Sequence, residues 1–130
     1  MRRLMPARPL AVILASADVE RLYTGLSLLV SAASEGRAAR GLATFGALAA
    51  LADPGLAARA QDPVETPHLT PAGRETFART LIELRELARP SLHACAAAAE
   101  ITGLGAGGLA GVRSTPRFLA EAGDAELVVV

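Results

Sequence analysis

Leu10-Ala-Val-Ile-Leu-Ala15 is an uninterrupted apolar run with β-branched residues at its centre. Such a run suits a strand covered on both faces, which is the situation of strands in parallel sheets flanked by helices. The next residues fit that arrangement. Ser16 or Asp18 can cap a helix whose Val19, Leu22, Leu26, Leu29, Val30 and Ala33 fall on one stripe, with Gly36 as its stop. Arg40 to Phe45 reads as a second strand ending at Gly46, and Ala47 to Ala52 as a short buried helix.

From Asp53 to Thr70 the composition changes, with Pro54, Pro63 and Pro67 among polar residues, and an irregular excursion is predicted. Thr70-Pro71 then supplies an N-cap and a proline at the first helical position. Phe77, Leu81, Leu84 and Ala88 recur at helical spacing until Pro90. Glu75, Arg79 and Glu83, four apart on the other face, read as a solvated ion-pair ladder. Ser91 to Ala96 is the next strand, Ala97 to Ile101 a short helix stopped by Gly103, and Leu109 to Val112 another strand. Thr115-Pro116 caps a helix to Ala122, and Glu126 to Val130 closes the chain as a strand. Strand and helix alternate throughout, which predicts a parallel sheet sandwiched by helices in one domain over residues 1–130.

Composition narrows the chemistry. Hydrophobic residues are 52% of the chain but aromatic ones only 3%, so the core is built from Ala, Leu and Val. Thirteen arginines balance 13 acidic residues, a neutral total that speaks against nucleic acid as a partner. There is no lysine, hence no phosphate-loop lysine, Schiff base or pyridoxal-phosphate anchor. One cysteine cannot form an intrachain disulfide, and a reducing, cytoplasmic setting is expected. Arg2 and Arg3 precede an apolar run ending at Ala15-Ser16-Ala17, a superficial match to a secretory cleavage site. The run is short, Pro6 and Pro9 interrupt its approach, and the strand reading is preferred. Asp18, Glu20 and Arg21 interrupt one apolar stretch, His93 and Glu100 another, so no membrane span is expected.

In parallel sheets, ligands and reactive groups gather beyond the carboxyl ends of the strands. That rule selects Ser16 to Asp18, Thr44-Phe45-Gly46, and His93 to Ala97 as one neighbourhood. Cys95 is the main candidate within it, because a thiol at a helix N-terminus meets unpaired backbone N–H groups that stabilise thiolate. His93, two residues earlier, projects from the same strand face, where an imidazolium would assist. The competing reading is a small buried structural cysteine among alanines. His68 lies on the Pro-rich excursion and reaches the site only if that segment folds over it. His93, Cys95 and His68 lack the close spacing of zinc ligands, and neither metal nor cofactor is expected. Gly103-Leu-Gly105-Ala-Gly107-Gly108 satisfies G-x-G-x-x-G, yet it follows a short helix and leads into a strand, the reverse of a dinucleotide-binding turn. No G-x-S-x-G is present.

With these elements placed, the sequence resembles the DsrE/DsrF-like family of sulfur-relay and peroxiredoxin-associated proteins. The resemblance is carried by Leu10 to Ser16 leading into Asp18-Val-Glu-Arg-Leu-Tyr23, by Ala43-Thr-Phe-Gly46, by Leu92-His-Ala-Cys95, and by Gly111-Val112 leading to Phe118-Leu119. It implies a three-layer α/β/α domain around a mostly parallel five-stranded sheet, assembly as a homo-oligomer, and a cysteine at position 95 that accepts persulfide sulfur. Alanines at 96–99 depart from the bulkier residues of many relatives, and the excursion at 53–70 has no matching motif. Two functions are expected as alternatives: a single-thiol sulfur carrier working with a donor or acceptor protein, or a non-catalytic oligomeric module that binds a small ligand or partner in the strand-end cleft.

Overall fold

The computed structural model describes residues 7–130; Arg2, Arg3 and Pro6 of the leader-like segment lie outside them. Five strands, β1 (Leu10–Leu14), β2 (Ala39–Ala43), β3 (Leu92–Cys95), β4 (Gly111–Arg113) and β5 (Glu126–Val129), form one sheet in the order β4-β3-β2-β1-β5. Every neighbouring pair is parallel. Six helices join them: α1 (Val19–Ser34), α2 (Phe45–Ala52), α3 (Leu56–Ala60), α4 (Pro71–Ala88), α5 (Ala96–Thr102) and α6 (Thr115–Ala122). The α/β class expected from the alternating pattern is the observed one.

The strand order fixes how the helices divide. From β1 to β4 the chain steps steadily toward one edge, and right-handed crossovers put α1 to α5 on a single face of the sheet. β5 returns to the far side of β1, which turns α6 onto the opposite face. On the crowded face Val12, Gly41 and Leu92 lie side by side in register. A Cβ at Gly41 would fall 2.6 Å from Leu92 Cδ2 and 2.9 Å from Leu29 Cδ1, so glycine there lets α1 seat against the sheet. Gly25 serves the same contact from the helix side, where a Cβ would run into Leu14. Along each strand the alternate residues, among them Leu42, His93, Cys95, Leu127 and Val129, face α6. Of α6 itself only Phe118 is fully buried.

Several boundaries differ from the sequence reading. α2 begins at Phe45, two residues early, because Thr44 and Phe45 turn straight from strand into helix. The excursion is not irregular throughout: α3 forms one short turn within it, with Leu56 and Ala60 buried. Buried Thr66 ties the segment down by donating from Oγ1 to Asp62 O at 2.9 Å and accepting from Arg74 Nε at 3.1 Å. Ser114, not Thr115, caps α6, accepting from the Arg117 N–H. β4 lies two residues later than Leu109 at its start, since the Gly-rich turns run on to Ala110. Among the described residues the α4 ion pairs join Glu86 to Arg85 and Arg89, not the expected Glu75, Arg79 and Glu83.

Candidate functional site

Two of the selected loops are stitched together at the carboxyl edge of the sheet. Asp18 caps α1, its Oδ2 accepting from Arg21 N at 2.9 Å, while Ser16 Oγ accepts from Asp18 N at 3.1 Å. Thr44 donates from both N and Oγ1 to Leu14 O, at 3.0 and 3.2 Å. Gly46 packs on Ala17, with room for a Cβ only at 3.2 Å from the alanine methyl. Phe45 between them has φ of 25° and stands 45% exposed. A bulky residue in the left-handed region costs roughly 1–2 kcal/mol, and such strain concentrates at functional edges. Arg59, from α3, spans to this corner by donating to Ala17 O at 2.9 Å. Its hydrogen bond to Glu65, at 2.9 Å, raises its pKa further despite partial burial and keeps it charged.

Cys95 ends β3 on the same edge, one step beyond the Ala43–Ala94 pair, and occupies the N-cap position of α5. Its side chain makes no cap bond and is 5% exposed. Sγ lies 3.9 Å from Thr115 Oγ1, so the first turn of α6 is what sits against the thiol. The register pairs Cys95 with Arg113 of β4 and His93 with Gly111.

His93 shares the α6-facing side with Cys95, as its spacing predicts, but its charge state differs from the expectation. Burial lowers its pKa below 6.5, and the Arg113 and Arg40 guanidiniums lower it further against the opposing Glu121. The fold thus disfavours an imidazolium at this position. The cations on this face are arginines that the sequence reading left out. Arg113 Nε donates to Glu121 Oε1 at 2.9 Å, Arg117 Nε lies 3.4 Å from the same oxygen, and Arg40 Nη1 lies 3.8 Å from Oε2. Partial desolvation would raise the Glu121 carboxyl, but the Arg113 hydrogen bond and the three positive charges outweigh it and hold the pKa down. The one sequence signal for this cluster was the i,i+4 spacing of Arg117 and Glu121.

The site residues therefore form two adjoining groups. Ser16, Asp18, Thr44, Phe45 and Gly46 hold the β1 and β2 ends together, and Cys95 meets the β4–α6 connection. His68 belongs to neither and lies in the turn before α4. No cluster of three or more His, Cys, Asp or Glu able to hold a metal ion occurs among the described residues. No helix among them is long and apolar enough to cross a membrane. The G-x-G-x-x-G run forms tight turns, with positive φ at Gly103, Gly105, Gly107 and Gly108, and packs Gly107 against Leu48 of α2. A concavity missed from the sequence lies between α3 and α4, lined by Gln61, Glu75, Arg79 and Glu83. No protein-family model matches the chain, and no curated protein matches it either.

Proposed function

We propose that the chain is a single-thiol sulfur carrier acting through Cys95 in a reducing, cytoplasmic compartment. The observation that carries this reading is the placement of the thiol at the carboxyl end of an interior strand, at a strand-to-helix junction, against Thr115 in the first turn of α6. The Cys95 thiolate attacks the outer sulfur of a donor persulfide, R–S–SH. A Cys95 S–S bond forms, the donor S–S bond breaks, and R–S⁻ leaves with the bonding electrons, so no external oxidant or reductant is consumed. Passing the outer sulfur to an acceptor thiolate reverses the step. The resemblance to DsrE/DsrF-like proteins supports the same chemistry, and Leu119, Leu127 and Val129, 44 to 63% exposed on the thinly covered face, support self-association as part of it.

A second reading draws on the 5% exposure of Cys95: a non-catalytic module in which the cysteine packs and the strand-end loops bind a ligand or partner. Treatment with glutathione persulfide followed by intact mass separates the two. The carrier gains one sulfur atom, removable by reductant, and Cys95→Ser gains none. A wild-type chain that takes up no sulfur leaves the binding module as the function.

A further inference from the structure

The two edges of the sheet are built differently. β4, at one edge, is three residues long, begins on Gly111 and ends on Arg113, the kind of short, charged strand that resists pairing with another chain. β5, at the other edge, has neither lysine nor proline, pairs residue for residue with β1, and leaves Leu127 and Val129 49 and 63% exposed. Its hydrogen bonding leaves one side open. Glu126 N donates to Pro9 O at 2.8 Å, Val130 N donates to Ile13 O at 2.9 Å, and Val130 O accepts from Ala15 N at 2.9 Å. These residues turn their peptide groups toward β1. Strand alternation turns the N–H and C=O of Leu127 and Val129 the other way, where no strand lies among the described residues.

The outward groups are self-complementary. When a second copy of β5 is laid antiparallel with Val128 opposite Val128, Leu127 of each copy stands opposite Val129 of the other. Leu127 and Val129 then exchange both of their N–H···O bonds, and the two-fold repeats the exchange, so every outward group is satisfied. Sliding the copies by two residues instead sets Val129 against Ala125, whose N–H is already donated to Ala122 O. The side chains agree with the Val128-centred register. Leu127 and Val129 of both copies make one apolar patch on the α6 side, and Val128 meets Val128 between two grooves, each lined by Leu28, Ser31, Arg37 and Glu126.

α1 carries a matching charge pattern. Arg21, Leu28 and Glu35 follow one another at about two turns along a single stripe of the helix. A Cβ at Gly25 would lie 3.7 Å from Val130 Cβ, so Leu28, a turn further along a helix that runs counter to the strands, is level with Val128. The two-fold that passes between the Val128 residues therefore also relates the two α1 helices about Leu28. It sets the positive end of each stripe on the side of the negative end of the other.

We propose that β5 is a dimerisation edge, through which two copies of this chain join antiparallel at Leu127 and Val129 into one continuous sheet. The proposal deepens the self-association in the reading above and does not rest on the chemistry of Cys95. A few hydrogen bonds and a small apolar patch make a modest interface, with a Kd on the order of 10 micromolar.

Sedimentation velocity of the full chain from about 1 to about 200 micromolar covers that range, and the species expected has twice the 13.3 kDa chain mass. Val129→Lys charges the outer edge at a position whose 63% exposure leaves the folded chain room for it, and weakens the dimer by about tenfold or more. Arg21→Glu weakens it about threefold, and Glu35→Arg in the same chain restores it. Both charge changes suit the dipole of α1. The register is read by cross-linking, which keeps the test intact should Val129→Lys fail to fold. In a Cys95→Ser background, Val128→Cys forms an interchain disulfide on mild oxidation, because facing residues of a non-hydrogen-bonded pair come within disulfide reach. Val112→Cys, 40% exposed on the β4 edge, forms none. A dimer that Val129→Lys leaves intact and Val128→Cys does not cross-link uses another surface, which overturns this proposal while self-association stands. A wild type that stays at 13.3 kDa throughout overturns both, and leaves the edge to an extended segment of a different protein.

Discussion

His93 shows how far a residue's identity and its chemistry can part. Its place on the face of Cys95 was legible from a two-residue spacing, because strand alternation is a local rule. Its charge was not, because that is set by Arg113 and Arg40, which come from strands on either side of it in the fold. The sign of the consequence is fixed. With the folded pKa below the unfolded one, the unfolded chain binds more protons between the two values, so the contribution to stability is complete above the unfolded pKa and fades as pH falls through the folded value. Comparing denaturant midpoints of wild type and His93→Gln between about pH 7 and about pH 5 isolates it. Wild type should lose stability relative to the variant on acidification. Glu121, whose carboxyl is held low, is common to both proteins. Parallel curves would mean that His93 is solvated like a free imidazole. Cys95 stands at the other extreme: its position at the strand end was legible from the sequence, whereas its burial under Thr115 required α6 to fold back over the sheet.

Elements were legible where an apolar period met a cap, and illegible where tertiary contact alone decides. α1 and α4 each have a side-chain cap and a buried stripe, Asp18 with Val19, Leu22, Leu26 and Leu29 in one, Thr70 with Ala78, Leu81 and Ala88 in the other. α3 has neither a side-chain cap nor the length for a period, and it exists because Leu56 and Ala60 are buried against α4 and Arg59 is tied to Glu65 and Ala17. β4 is three residues long in a Gly-rich stretch, so hydropathy placed it two residues early at its start. β2 gives the sharpest energetic test at this scale. Its Gly41 reads as a weak point in a strand, since glycine has no side chain to pack. The structure makes it the seat of α1. Gly41→Ala should destabilise the fold by about 1–3 kcal/mol through overpacking against Leu92 and Leu29, even though alanine is the better strand residue. An unchanged or raised midpoint in urea would show that α1 can shift outward at no cost.

The whole molecule is lopsided, and the imbalance bears on access to the thiol. Five helices and most of the buried leucines lie on one face, while α6 covers the other with Phe118 alone fully buried. That division follows from strand order: β5 returns past β1, and handedness does the rest. No local sequence pattern encodes it, although every strand was found. Phe118 is therefore both the anchor of α6 and the brace that keeps Thr115 against Cys95. Phe118→Ala should cost about 3–5 kcal/mol by leaving a cavity under the helix, and Phe118→Leu about 1 kcal/mol or slightly more. The loss should not be spread evenly. Elements with few buried contacts open below the global unfolding free energy, and α6 has the fewest anchors of the longer helices. Thiol labelling of Cys95 in native buffer should thus proceed through an opening free energy below that of global unfolding, and accelerate in Phe118→Leu but not in Gly41→Ala, which lowers global stability from the opposite face of the sheet. If labelling instead scales with global unfolding in both variants, α6 does not open by itself, and sulfur could reach Cys95 only through the whole fold.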